Sequence, residues 1–245
     1  MYLRLEADKI IKIVERLRDR ITERFPAASL CKVAGEFLQL SRDAAERART
    51  IGKPLIPLRV GTALLLLVFF AVLFEIAAGL HVAKGFDSIT DIIQAVEASF
   101  NIIILLCGGI FFLATLEARI KRKQALEMIH ELRALAHVVD LHQFSKDPEQ
   151  VLGRGGSTPS SPVRTMSRFE LLRYLDYCGE MLSLIGKIAA LYAQHLNDAV
   201  VLEAVDEIED LSNSLSHKIW QKIAIISREE GAGGAAGEPA PARKG

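Results

Sequence analysis

The chain has 245 residues, half of them hydrophobic, and its 30 basic residues are balanced by 30 acidic residues. This balance excludes the strong positive field typical of nucleic-acid-binding proteins, and a mean hydropathy of +0.24 excludes a wholly disordered chain. The three cysteines are scattered singly, which fits neither a disulfide framework nor a cysteine-rich zinc site and predicts reduced thiols.

Residues 1–53 are predicted to form a cytoplasmic helical hairpin. Apolar residues recur at spacings of three and four from Ala7 to Ile21, which is typical of a helix with one apolar seam. The sequence FPAAS interrupts this helix, and a second seam runs from Leu30 to Ile51. The start of the chain is charged and amphipathic, so we expect no cleaved signal peptide.

Residues 54–118 are predicted to form a two-span transmembrane hairpin. The first span, about 60–80, carries a single ionisable group and covers roughly 30 Å as a helix, the thickness of a hydrocarbon core. The second span, 100–116, is uncharged and close to the minimum length for a span. Residues 81–99 would form a short extracytoplasmic loop. The alternative is a buried helical hairpin in the core of a soluble protein.

Basic residues flank both predicted spans on the same side. Because Lys and Arg close to a span are retained in the cytoplasm, this bias predicts a multi-pass protein of a bacterial inner membrane with both termini cytoplasmic. The flanking residues are Arg47, Arg49, Lys53 and Arg59 before the first span, and Arg119, Lys121, Arg122 and Lys123 after the second.

Four further segments are predicted after the hairpin. Residues 119–143 continue the second span as a cytoplasmic stalk helix, since no helix breaker separates them from it. Residues 144–166 are rich in Gly, Ser and Pro and form a flexible linker. Residues 167–229 form a C-terminal helical hairpin, and residues 230–245 form a disordered tail.

The last predicted helix has a near-heptad apolar seam from Val201 to Ile226, interrupted at Ser212. Every predicted cytoplasmic helix has such a stripe, which must be buried against another helix or another copy. The sequence therefore predicts an all-α protein in which a two-span transmembrane helical hairpin carries a cytoplasmic helical bundle or coiled-coil-like domain.

Glu75 is the one ionisable residue within the first predicted span. It lies near the outer boundary, where a carboxylate costs little, so a tolerated interfacial residue or a subunit contact is the favoured interpretation. Proton or ion handling is the alternative, because acidic residues inside membranes are often functional.

Glu127, His130, His137 and Asp140 lie near one face of the predicted stalk. Glu-x-x-His is half of the ligand set of a di-iron helical bundle, but the second copy that such a site requires is missing from the sequence. The favoured interpretation is a polar helix face, and we predict no metal ligands, no cofactor and no catalytic residues.

No nucleotide-binding, hydrolase or zinc-protease motif occurs in the sequence. We therefore expect a non-enzymatic, membrane-anchored scaffold or interaction protein that contacts the lipid bilayer and self-associates or binds a cytoplasmic protein. Neither nucleic acid nor a small-molecule substrate is expected. The alternatives are an oligomeric channel or membrane effector that uses the two-span hairpin, and a metal-dependent helical-bundle enzyme centred on His130 and His137.

Overall fold

A computed structural model of the chain describes residues 4–82, 89–144, 146 and 166–234. Within these residues all regular structure is helical and no strand occurs, which confirms the predicted all-α class. The helices of this part of the chain are α1 (Ala7–Arg24), α2 (Ser29–Ile51), α3 (Ile56–Val82), α4 (Ile89–Phe144), α5 (Arg168–His195) and α6 (Ala199–Gly234).

Four predicted segments lie partly outside the described residues. The structure leaves undescribed residues 1–3 of the predicted N-terminal hairpin, residues 83–88 of the predicted loop, nearly all of the predicted linker, and residues 235–245 of the predicted tail. Other boundaries can be compared with the predictions, and α4 begins at Ile89, within the predicted loop 81–99. Helix α4 runs without a break from its apolar part into the charged part, as expected, and α6 extends to Gly234, past its predicted end at Glu229.

The chain divides into two compact units. We call residues 51–124 the apolar unit, and residues 1–50 together with 125–245 the helical bundle. The bundle is therefore built from chain segments on both sides of the apolar unit. Helix α4 contributes its first part to the apolar unit and its last part to the bundle.

Within the bundle, α1 runs antiparallel to both α2 and α5. Ion pairs join Asp8 to Arg49 at 2.7 Å and Glu15 to Arg42 at 3.0 Å, so α1 and α2 run in opposite directions. Arg20, late in α1, donates to Glu180 in the middle of α5, whereas the amide of Leu5, just before α1, donates to Gln194 near the end of α5. Helices α1 and α5 therefore also run in opposite directions.

Helix α6 runs antiparallel to α5 and parallel to the last part of α4. The Arg168 guanidinium donates to the Ile226 carbonyl, which joins the start of α5 to the later part of α6. Arg133 pairs with Glu207, and ten residues further along α4 the Gln143 carbonyl accepts from Lys222. These directions make the last part of α4 antiparallel to α2. The two connections to the apolar unit therefore leave the bundle at the same end.

Helix α5 supplies the centre of the bundle core. It begins with a capping box in which Ser167 and Glu170 exchange hydrogen bonds, and half of its residues are buried. The hydroxyl of Tyr192, fully buried, donates to the Ala44 carbonyl at 3.0 Å and so ties α5 to α2. At the opposite end, Phe25 packs edge-on against the ring of Tyr174.

Within the apolar unit, α3 contacts the first part of α4 at two levels. The Leu55 amide donates to Glu117 at 3.3 Å, and further along α3 Leu65 approaches Gly109. A Cβ placed on Gly109 would lie only 3.1 Å from Leu65 Cδ2, so glycine permits this close approach. Because Leu55 precedes Leu65 whereas Glu117 follows Gly109, α3 and the first part of α4 are antiparallel.

Candidate functional site

The apolar unit exposes large hydrophobic side chains along its helices. The most apolar 18-residue stretches of its two helices have mean hydropathies of 2.5 and 2.2, and none of either stretch is buried. Among the described residues, these two helices are long and apolar enough to cross a membrane. The most exposed of these side chains are Ile56, Leu64, Leu67, Phe70, Phe74, Phe100, Leu105 and Phe111, each at least 63% exposed.

A polar cluster lies at one end of this apolar surface, around Glu117. Its carboxylate accepts from Lys121 Nζ at 2.8 Å, from Arg59 Nε at 3.3 Å and from the Leu55 amide at 3.3 Å. Glu117 is 17% exposed and Lys121 12% exposed, so both groups of this pair are largely shielded from solvent. We call these four residues the Glu117 cluster.

The hydrogen bond from Lys121 lowers the pKa of Glu117 to about 2, against the opposing effect of burial. The hydrogen bonds from Arg59 and the Leu55 amide are smaller contributions to this same lowering of the pKa. Glu117 is therefore ionised at physiological pH and unsuited to proton transfer near neutrality. The cluster is instead suited to holding α3 against α4, because Glu117 satisfies an amide that precedes the first turn of α3 and pairs with a cation on that helix.

Glu117 is not among the residues predicted from the sequence, where Arg59 and Lys121 stand as positive flanks of the spans. It is the acidic residue that directly follows the second uncharged run. The available signal was that position, since an acid immediately beside an apolar helix and four residues before Lys121 forms a favourable pair on one helix face.

Glu75 lies on an exposed face of α3. Within the part of the chain that the structure describes, its carboxylate has no hydrogen-bonding or ionic partner. The structure therefore places Glu75 on the outer surface of the apolar unit. Gly108, in the second apolar run, likewise has open space where a Cβ would lie.

The stalk histidines, His130 and His137, are both exposed on α4. The opposite face of this helix, which includes Met128, Leu132 and Ala136, is fully buried in the bundle. Asp140 is half-buried and accepts from the Gln143 side chain four positions before the end of the helix.

Among the described residues, no group of three or more His, Cys, Asp or Glu side chains is arranged to hold a metal ion.

Cys178 of the RYLDYCGE sequence is buried in the centre of α5. Burial raises the pKa of its thiol to about 12, which leaves it protonated and unreactive near neutral pH. Tyr174 and Tyr177 of the same sequence are buried as well, and burial also raises the pKa of Tyr174. These three buried side chains make the segment part of the bundle core.

No protein-family profile matches the chain, and no curated protein or solved structure shows significant similarity to it.

Proposed function

We propose that this chain is an integral membrane protein, with α3 and the apolar part of α4 crossing the bilayer as a hairpin and the helical bundle on the cytoplasmic side. In this proposal it is a non-enzymatic scaffold that self-associates or binds a cytoplasmic protein. The membrane of a bacterial cell is the expected location.

The exposed apolar surface of α3 and α4 is the observation that carries the proposal. A core helix of a soluble protein buries its apolar stretch, whereas here none of either stretch is buried. Side chains such as Leu67 and Phe74, 70% and 71% exposed, would meet water in a soluble monomer. Lipid tails satisfy such a surface without any further contact between protein helices.

The composition of the bundle supports an even number of spans. Residues before the apolar unit and residues after it pack together in one core, so both must lie on the same side of a membrane. Two spans meet this requirement and one span does not. The basic flanks, including Arg59 of the Glu117 cluster, favour the cytoplasm as that side.

Membrane extraction with a charge insertion tests the anchoring. The full chain should stay in the membrane pellet after alkaline carbonate treatment and float with lipid in a density gradient. Leu67→Arg should reduce this retention, because an arginine near the centre of a span costs roughly 3 kcal/mol on insertion scales. Leu141→Arg is the matched control, since Leu141 is 64% exposed on the bundle. Extraction of the wild-type chain by carbonate would contradict the proposal.

Single added cysteines test the orientation. In a chain whose three native cysteines are replaced by alanine, expressed in intact bacterial cells with a permeable outer membrane, a membrane-impermeant maleimide should label Thr90→Cys, and it should label Asn213→Cys only after lysis. Both positions are exposed, one at the start of α4 and one on α6. Labelling of Asn213→Cys before lysis would place the bundle outside the cytoplasm and refute the proposed topology.

An oligomeric channel is the second candidate, favoured by the exposed, unpartnered carboxylate of Glu75 within the described part of α3. An acid on the outer surface of a hairpin can line a pore only when several copies assemble around it. Conductance of reconstituted wild-type protein that Glu75→Gln abolishes would support the channel. Absence of conductance from the wild-type protein in liposomes would exclude it.

A further inference from the structure

Helix α1 carries an exposed basic face with an apolar residue at its centre. Lys12 and Arg16 lie one helical turn apart and are both exposed, and Ile13 between them is 47% exposed. Within the described residues, neither Lys12 nor Arg16 has a hydrogen-bonding or ionic partner. Like charges spaced four residues apart destabilise their own helix. This face is therefore unpartnered within the bundle.

Helix α6 carries the complementary charge at the same spacing. Glu203, Asp206 and Asp210 are exposed on its outer side and have no partner among the residues that the structure describes. Asp206 and Asp210 are again four residues apart, so they repel each other as the two cations on α1 do. An acidic partner on α1's basic face and a basic partner on α6 would remove both repulsions.

The two charged faces lie at nearly the same level of the bundle. Arg20 of α1 bonds Glu180 of α5, and Gly186 of α5 lies against Glu209 and Ser212 of α6. Gly186 lies six residues after Glu180 on α5. Because α1 is antiparallel to α5, Val14, six residues before Arg20, lies at about the level of Gly186, and this is also the level of the middle of the basic face.

The α6 residues against Gly186 are Glu209, which immediately precedes Asp210, and Ser212. The centres of the two faces therefore agree in level to within about one helical turn of roughly 5 Å. Because α1 and α6 are both antiparallel to α5, they also run in the same direction.

We propose that two copies of this chain associate side by side, with Lys12 and Arg16 of one copy bound to Asp206 and Asp210 of the next. Copies anchored in one membrane share an orientation, so α1 of one copy can lie parallel to α6 of its neighbour with the charges in register. The contact covers Ile13 and pairs four charges that are unpaired in the single chain. The proposal rests on the proposed membrane anchoring for this common orientation.

A charge-reversal series in reconstituted full-length protein tests the pairing. Donor- and acceptor-labelled copies in phosphatidylcholine liposomes should show energy transfer that falls as the protein is diluted in lipid. Lys12→Glu with Arg16→Glu should weaken association roughly tenfold, because two attractive pairs become repulsive. Asp206→Lys with Asp210→Lys should weaken it to a similar degree.

The decisive result is restoration. A chain with all four substitutions, or an equimolar mixture of the two double variants, should recover association close to that of the wild-type protein. Glu36→Lys with Lys218→Glu is the matched control, since both residues are exposed and unpartnered among the described residues. This control should associate as the wild-type protein does, and circular dichroism should show the same helix content for every variant.

Three results would overturn the pairing. The first is wild-type protein that stays monomeric at all dilutions, and the second is a fourfold variant that fails to recover association. The third is weakening by the α1 reversal alone, which would assign the basic face to a different partner. Carbonate extraction reports separately on the anchoring, so retained but monomeric protein refutes the pairing and leaves the proposed membrane location intact.

Discussion

Glu117→Gln tests whether the Glu117 cluster holds the apolar unit together. Glutamine has nearly the same size and can still accept a hydrogen bond from the Leu55 amide, but it carries no charge and cannot form an ion pair with Arg59 or Lys121. The substitution therefore removes the charge and leaves the packing of α3 against α4 in place. We expect a less stable apolar unit.

The size of the effect follows from the surroundings of Glu117. A pKa lowered from 4.5 to about 2 corresponds to about 3 kcal/mol in favour of the ionised form at neutral pH. This is an upper limit, because Arg59 is 64% exposed and its pairing is screened by solvent, whereas Lys121 is only 12% exposed. We expect a loss of about 1–2 kcal/mol, which lowers the melting temperature by about 4 °C.

The pH dependence has a definite sign. An unfolded glutamate titrates near pH 4.5 and folded Glu117 near pH 2, so its stabilising contribution is present above pH 4.5 and is lost as the pH falls toward 2. The difference in melting temperature between the wild-type protein and Glu117→Gln should therefore be largest near pH 7. At pH 3 it should shrink to roughly half or less.

Thermal unfolding of the full chain in lipid nanodiscs, followed by circular dichroism, measures both quantities. Glu97→Gln is the matched control, because Glu97 is exposed on the same helix and has no partner among the described residues. Equal melting temperatures for the wild-type protein and Glu117→Gln at pH 7 would refute the reasoning. An equal loss in Glu97→Gln would do so as well.

Three further substitutions have expected outcomes. Tyr192→Phe should cost about 1 kcal/mol of unfolding free energy, because the buried hydroxyl loses its hydrogen bond to the Ala44 carbonyl, and chemical denaturation would detect it. Ser212→Ala should raise the stability by about 1 kcal/mol in the same assay, since its buried hydroxyl lacks a partner within the described residues. Glu75→Gln should leave the retention of the protein in carbonate-treated membranes unchanged, because Glu75 is exposed on the surface of α3 and pairs with no other residue in the described part of the chain. A loss of retention would contradict this position of Glu75.

The helical periodicity of the sequence predicted the buried faces of four helices correctly. Each of these helices has one apolar stripe at spacings of three and four, and the helix can bury such a stripe only by turning that face towards the core. In the α1 seam every residue but the half-buried Ala7 is buried, and the α2 and α6 seams are buried at every predicted position. The predicted packing side of the stalk is buried as well, at Ile129, Leu132, Ala136 and Val139. The α6 seam includes Ser212, whose side chain is 3% exposed although it interrupts the apolar pattern.

The tertiary role of α5 and the Glu117 cluster could not be predicted. Helix α5 is buried on most of its circumference, so it has no single stripe to indicate a partner, and its contacts with α1 and α6 depend on chain segments far away in sequence. Glu117 and Arg59 are likewise brought together only when α3 meets α4. His130 and His137 were grouped only because their spacing places them near one face of a helix, and in the structure both are exposed.

The central position of α5 makes the bundle dependent on both ends of the chain. Its core is covered by α1 and α2 from before the apolar unit and by α6 from after it, as the contacts of Glu180, Tyr192 and Arg168 show. A chain that begins at Ile51 should therefore still reach the membrane, but its α5 should be cleaved by trypsin at least about tenfold faster, because cleavage tracks the population of the open form. Equal cleavage rates would mean that α5 and α6 fold as an independent hairpin. Faster cleavage would mean that α1 and α2, from before the apolar unit, stabilise α5 in the bundle.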